Sequence, residues 1–200
     1  GHRSGSTRIR AGECAVFDEE SGHPPGSVRA LLVDPDGTTW IGTYGGGLAR
    51  FRDGSFQRYT SNDGLFDDVV SRILDDGQGW LWMNGNRGVF RIRRADLDAH
   101  AAGTIEALRC TSFPTGEGNG GSQPAGWRDE AGRLWFPTID GVVSFSPRDV
   151  QLNAVPPVLH VESARLDDTA LSTRSITRVP PGHRNLEVHF TAPSLRRPDL

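Results

Sequence analysis

Three stretches of this sequence hold the side chains that metal, phosphate or proton-transfer chemistry would need. Asp34-Pro35-Asp36-Gly37 sets two carboxylates two positions apart ahead of a glycine, as a calcium loop does. An EF-hand begun at Asp34 would put Gly45 where its bidentate glutamate belongs. Pro35 and Gly37 preset turn geometry, so the segment reads as a tight turn. Gly116-Glu117-Gly118-Asn119-Gly120-Gly121 has the glycines of a phosphate cradle. It lies between Pro114 and Pro124, with no helical pattern behind it to supply N-terminal amides, and reads as a flexible connector. His183, Glu187 and His189 are ligand types, but Leu186, Val188 and Phe190 alternate with Glu187 and His189 as in a half-buried strand. That period of two places the histidines on the solvent side. His2, His23, His100 and His160 lack metal-ligand spacing, and neither a Gly-x-Ser-x-Gly elbow nor a His-Glu-x-x-His helix occurs. The sequence therefore assigns no catalytic, cofactor-binding or metal-binding residue and leaves ligand contacts unknown.

Composition narrows the classes further. The 200 residues carry a net charge of −3 and are 36% hydrophobic, which suits a soluble globular chain with one core or two small ones. All 22 basic residues are Arg and they are spread along the chain, so the stripe that nucleic-acid binding needs is missing. No apolar run approaches the ~20 residues of a membrane span, and GHRSGSTRIR lacks the apolar middle of a signal peptide.

The elements that must position any site are repeats. Trp40 and Trp82, Val28 and Val70, and Ile9 and Phe51 are each 42 residues apart. A third copy puts Trp135 53 residues beyond Trp82, the 11 extra residues being 93–103, RRADLDAHAAG, whose Ala, Leu and Asp spacing with a terminal Gly predicts a short helix. Within a copy, short apolar runs stop at Asp34-Pro35-Asp36-Gly37, at Tyr44-Gly45-Gly46-Gly47 and at Asp53-Gly54. That punctuation predicts four strands per period, with Trp40 filling the space between sheets. A four-stranded unit repeated at this period is one β-propeller blade.

DPDGTTWIGTYGGGLARF, DDGQGWLWMNGNRGVFRI and DEAGRLWFPTIDGVVSF resemble the two-component regulator propeller repeat, and Asn62-Asp63-Gly64-Leu65 is similar to its linker between blades. PPVLHVESARLDD and PPGHRNLEVHFTAPSL resemble the start of the Ig-like three-Tyr domain that follows such propellers. The second copy departs from the pattern in having Asn84 and Gly85 where the first has Gly42 and Thr43. The turn at Asp34 is also similar to the Asp-box of sialidase propellers, with one residue too many before Gly37. The fold expected is all-β: about three and a half blades of a partial propeller over residues 1–155, then the first strands of an Ig-like sandwich over 156–200. The chain is expected to begin inside a blade, because STRIRAGECAVF matches the outer half of the next copy, and to be sticky or poorly folded as an isolated polypeptide.

The resemblance implies a non-catalytic fragment of the periplasmic or extracellular ligand-sensing region of a bacterial receptor, most often a two-component sensor histidine kinase or hybrid kinase and sometimes a diguanylate cyclase. It implies no cofactor. Expected partners are a small-molecule or glycan ligand, the remaining blades, an output domain and a second receptor copy; no nucleic acid is expected. A propeller-fold glycan hydrolase or lyase is the alternative. Tyr44, Asn86, Arg87 and Asp140, on loops that share an end with the blade linkers, are expected to line one mouth of the ring, and they make no acid/base pair. Pro156 and Pro157 mark the expected domain boundary and would act as a stiff connector. Cys14 and Cys110 fall at equivalent outer-strand positions two blades apart, so buried, unbridged thiols are expected.

Overall fold

Short runs of β-branched and aromatic residues, broken by Gly and Asp turns, fold into five antiparallel sheets in the computed structural model of the chain. Residues 5–10, 13–113, 115–118, 124–150, 159–167, 169–172, 178, 182 and 185–191 are described. The chain divides into two compact units, Gly1–Val150 and Gln151–Leu200.

The first unit opens with a hairpin of β1 (Ser6–Arg10) and β2 (Glu13–Phe17). A four-stranded sheet follows, in order β3 (Ser27–Val33), β4 (Thr39–Tyr44), β5 (Leu48–Arg52) and β6 (Ser55–Tyr59). A second such sheet holds β7 (Arg72–Asp75), β8 (Trp80–Gly85) and β9 (Gly88–Arg93), and after helix α1 (Arg94–Ala101) it is completed by β10 (Thr111–Ser112). The third holds β11 (Trp127–Arg128), β12 (Leu134–Thr138) and β13 (Gly141–Phe145), and no fourth strand among the described residues. These are successive blades of a partial β-propeller. The repeat spacing holds at the level of pairing: Ile9 faces Cys14 across β1–β2 just as Phe51 faces Phe56 across β5–β6.

The core lies between blades. Trp40 and Tyr59 of the first blade are buried in one cluster with Ile73, Leu81, Met83 and Phe90 of the second. Trp82 of the second is buried with Leu134 and Phe136 of the third. Such close sheet packing leaves no room at Gly42, where a Cβ would meet Val70 O at 2.5 Å. The 11-residue insert does form a helix, and it is wedged rather than looped out. Leu97 is fully buried, Tyr59 Oη donates to Leu97 O at 3.1 Å, and Arg50 pairs with Asp98. Arg94 grips Asp34 Oδ2 and Oδ1 at 2.6 and 2.9 Å and Asp75 Oδ2 at 2.8 Å, tying the first turns of two blades together.

Two sequence expectations are corrected. Cys14 is exposed, because among the described residues β1 and β2 stand as a two-stranded hairpin with no further strand packed over that position; Cys110 is half-buried, and both thiols are free. In the second unit, β14 (His160–Leu166) pairs with β15 (Thr169–Leu171) and β16 (Leu186–Thr191). Every residue of β16 is exposed, including Leu186, Val188 and Phe190, since the described residues supply no second layer over that face. The Pro156-Pro157 boundary lies outside the described residues.

Candidate functional site

The four residues expected at the mouth of the ring sit on the turns that join second to third strands. Tyr44 ends β4, and the glycines after it are demanded by the linkers that pack there. A Cβ at Gly46 would stand 2.1 Å from Pro25 O, and one at Gly47 2.2 Å from Tyr59 O. The linker before β7 closes over the turn: Asp68 O accepts from Gly45 N at 3.0 Å and Gly47 N at 2.9 Å, and Tyr44 bridges Val69. The same arrangement recurs one blade on, where Gly118 N donates to Asn86 O at 3.1 Å, and at the third blade, where Ile139 N donates to Glu117 O at 3.0 Å. Turns and linkers thus share one end of the blades, as the sequence predicts.

Those contacts bring the three turns to a common face without joining the four side chains to one another. Tyr44 is exposed, with the Arg29 guanidinium 5.4 Å from its ring centroid. Arg87 is turned back onto its own linker: its Nη1 donates to Phe66 O at 2.6 Å, and the guanidinium lies 4.4 Å over the Phe66 ring. Its backbone N–H donates to the buried Asp67 carboxylate at 2.8 Å, whose other oxygen accepts from Val69 N at 2.9 Å. Asn86, Ile139 and Asp140 are all exposed. The face thus offers an aromatic ring, a carboxamide, a carboxylate and cationic planes, groups that bind polar ligands without a matched proton donor and acceptor.

Arg29 is a member of this face that the sequence reading missed. The ladder of β3 on β4 shifts between Val28 and Ala30, and a bulge there re-aims a side chain. No composition or spacing signal in the sequence marks that bulge.

The acidic turns are spent on structure. Asp34 Oδ2 accepts from Trp40 Nε1 at 2.7 Å as well as from Arg94, and Asp36 Oδ1 accepts from Thr38 N at 2.9 Å. That amide is the main reason the Asp36 carboxyl titrates below its ordinary value. Glu187 and His189 lie side by side on the exposed face of β16, Oε1 to Nε2 2.9 Å; His183 is outside the described residues, as are positions 119–121 of the glycine-rich connector. No helix among the described residues is long and apolar enough to cross a membrane.

The family model for the two component regulator propeller matches residues 22–45, which span the linker before the first complete blade and its strands β3 and β4. Among solved structures, the chain is similar to the extracellular domain of BT4673 from B. thetaiotaomicron, described as a hybrid two component system. The TM-score is 0.50 at 14% identity over 86% of this chain and 21% of that one. A second structure of that domain, described as a one component system, gives 0.47 at 14% identity over 88% and 21%. The extracellular domain of the BT3049 hybrid two component system of the same organism gives 0.36 at 17% identity over 81% and 26%. The chain thus spans about a fifth to a quarter of these relatives. No curated protein matches. The chain therefore carries a two-component regulator propeller repeat on a propeller-like, nearly all-β fold.

Proposed function

We propose that this chain is a non-catalytic part of the ligand-sensing region of a bacterial two-component receptor, on the periplasmic or extracellular side of the inner membrane. The observation that carries the reading is the regulator-propeller match over residues 22–45, on a blade whose Asp–Trp turn recurs in the two blades that follow. The Tyr44, Asn86, Arg87 and Asp140 face receives a small polar ligand or glycan fragment. Ligand contact there shifts the second unit, read as the opening of an Ig-like module, and so biases a dimeric histidine kinase or cyclase output domain. With Asp140 the one carboxylate of the four, the face suits binding better than the paired-carboxylate hydrolysis of a glycosidase.

The test is a titration of the full-length polypeptide with glycan fragments and small organic acids, followed by calorimetry and by phosphotransfer from ATP. Binding that changes phosphotransfer and is lost in a Tyr44→Ala, Asn86→Ala double variant supports the sensor. Consumption of a glycan with unchanged phosphotransfer overturns it in favour of an enzyme.

A further inference from the structure

The Arg94 clamp between the first two blades has a counterpart one interface on, where its charges are exchanged. In the first, Arg94 sits between Asp34 of one turn and Asp75 of the next. Pairing register identifies the equivalent places. Asp75 faces Leu81 and Arg128 faces Leu134, the residues just before Trp82 and Trp135, so a guanidinium stands where the clamp has a carboxylate. Arg91 faces Trp82 and Ser144 faces Trp135; three residues beyond them come Arg94 and the buried Pro147, so a proline stands where the clamp has its cation. Asp76, the counterpart of Asp34, is kept, but its oxygens are taken by Gln78 N, Trp80 N and Trp82 Nε1.

With the clamp absent, the turns of the second and third blades and the segment after β13 enclose a polar cavity of 150 Å³, lined by Asp76, Gln78, Arg128, Glu130, Ser146 and Arg148. It lies at the end of the blades away from Tyr44, since β8 runs from this end at Trp80 to the other at Gly85. Arg128 spends Nη1 on Asp75 O at 3.1 Å, which leaves its Nε and Nη2 with no acceptor among the described residues. The side chains of Arg148 and Glu130 make no hydrogen bond or ion pair with the described residues. The cavity therefore presents two guanidiniums with donors to spare, one carboxylate with both oxygens to spare and one carboxylate already satisfied.

We propose that this cavity binds a small α-amino acid as its zwitterion, the carboxylate on the guanidiniums of Arg128 and Arg148 and the ammonium on Glu130. Two arginines balance Asp76 and Glu130 in the lining, so a neutral ligand that carries both charges matches it, whereas a bare anion leaves Glu130 unmatched and faces Asp76. The volume is about half the roughly 300 Å³ at which pockets for drug-sized ligands begin, which selects a side chain as small as that of alanine or serine. Once bound, the ligand restores to this interface the carboxylate–guanidinium pairing that Arg94 makes at the first. The site is separate from the Tyr44 face, and neither reading depends on the other.

The test is calorimetry on the full-length polypeptide with L-alanine and L-serine as probes, and with acetate and methylammonium as controls that carry one charge each. Saturable binding of an amino acid is expected, with each control about tenfold weaker or more. Arg148→Gln and Glu130→Gln should each weaken the amino acid by a similar factor. Both side chains are exposed and unpartnered among the described residues, so neither change removes a contact that holds the fold. The Tyr44→Ala, Asn86→Ala double variant should bind the amino acid as the wild type does. Absence of binding by both amino acids, acetate binding as tight as that of alanine, an affinity unchanged in Arg148→Gln or in Glu130→Gln, or loss of binding in the Tyr44 and Asn86 variant overturns the proposal.

Discussion

Trp82 donates its indole N–H to Asp76 Oδ2 at 3.0 Å, and both residues are buried. The pairing recurs from Asp34 to Trp40 at 2.7 Å and from Asp129 to Trp135 at 2.9 Å, six residues apart each time. One carboxylate thereby does two jobs. Its outer oxygen fixes the large ring that fills the space between blades, while the other accepts backbone amides of the turn, Gln78 N at 2.7 Å in the second blade and Arg133 N at 2.8 Å in the third. Seen this way, the acidic turn is a device for aiming an indole.

Replacing Asp76 with Ala strands a buried indole N–H, so the chain should lose about 1–3 kcal/mol of stability in urea unfolding. Asp129→Ala should lose clearly less, because Trp135 is 39% exposed and water can take over the bond. Equal losses at the two sites would show that burial does not set the value of this contact.

The same bond governs a titration. Asp129 titrates below its ordinary value chiefly because Trp135 donates to it, then because of the Arg133 amide. A carboxylate with a depressed folded pKa contributes stability above its ordinary pKa and loses it as pH falls through the folded value. In Trp135→Phe the Asp129 side-chain carbon signal should titrate at a higher pH, nearer the ordinary range, when followed by NMR.

Gly42 tests the blade spacing. A methyl there would meet Val70 O at 2.5 Å and Val70 Cγ1 at 2.7 Å, so Gly42→Ala must push two blades apart. A loss of about 1–3 kcal/mol is expected from overpacking of this kind. Val70→Ala relieves only the side-chain part, so the double variant should recover some stability but not all.

Alkali should loosen the first interface. Burial raises the Tyr59 hydroxyl from 10.0 to about 12 and the Cys110 thiol from 9.0 to about 11. Groups with raised folded pKa values hold their stability below the ordinary value and lose it as pH climbs to the folded one. The chain should therefore destabilise between pH 9 and 11 through Cys110 and between 10 and 12 through Tyr59. Tyr59→Phe should flatten the upper part of that fall in stability-versus-pH measurements. In the native chain a thiol reagent near neutral pH should modify the exposed Cys14 promptly and Cys110 slowly.

Arg94 reaches two blades at once, with forked bonds that a lysine cannot copy. Arg94→Lys should lower the thermal midpoint measurably, and Arg94→Ala should lower it further. Asp34→Asn, which keeps the Trp40 bond and weakens the Arg94 one, should fall between the wild type and Arg94→Ala.

Much of the fold could be read from particular residues. Asp53-Gly54 and Asp34-Pro35-Asp36-Gly37 stop the chain wherever they occur, because positive φ and fixed φ are local properties, and the structure turns at both. The helix in the insert was legible from its own spacing. Burial was not: Cys14 and Phe56 fill equivalent places, yet Cys14 is exposed, since burial depends on which neighbouring strands are present. The candidate face was half legible. Tyr44, Asn86, Arg87 and Asp140 follow from turn positions, whereas Arg29 joins them only through a bulge, and Arg87 is turned onto Phe66.

The sequence by itself determined the repeat, its strands and turns, and the spacing of six between each aspartate and its tryptophan, because all of these rest on contacts within one short stretch of chain. Only the tertiary structure decided where α1 is wedged and which carboxylates Arg94 joins. Those outcomes depend on groups 19 to 60 residues apart meeting across a blade interface, and side-chain types alone do not encode that distance.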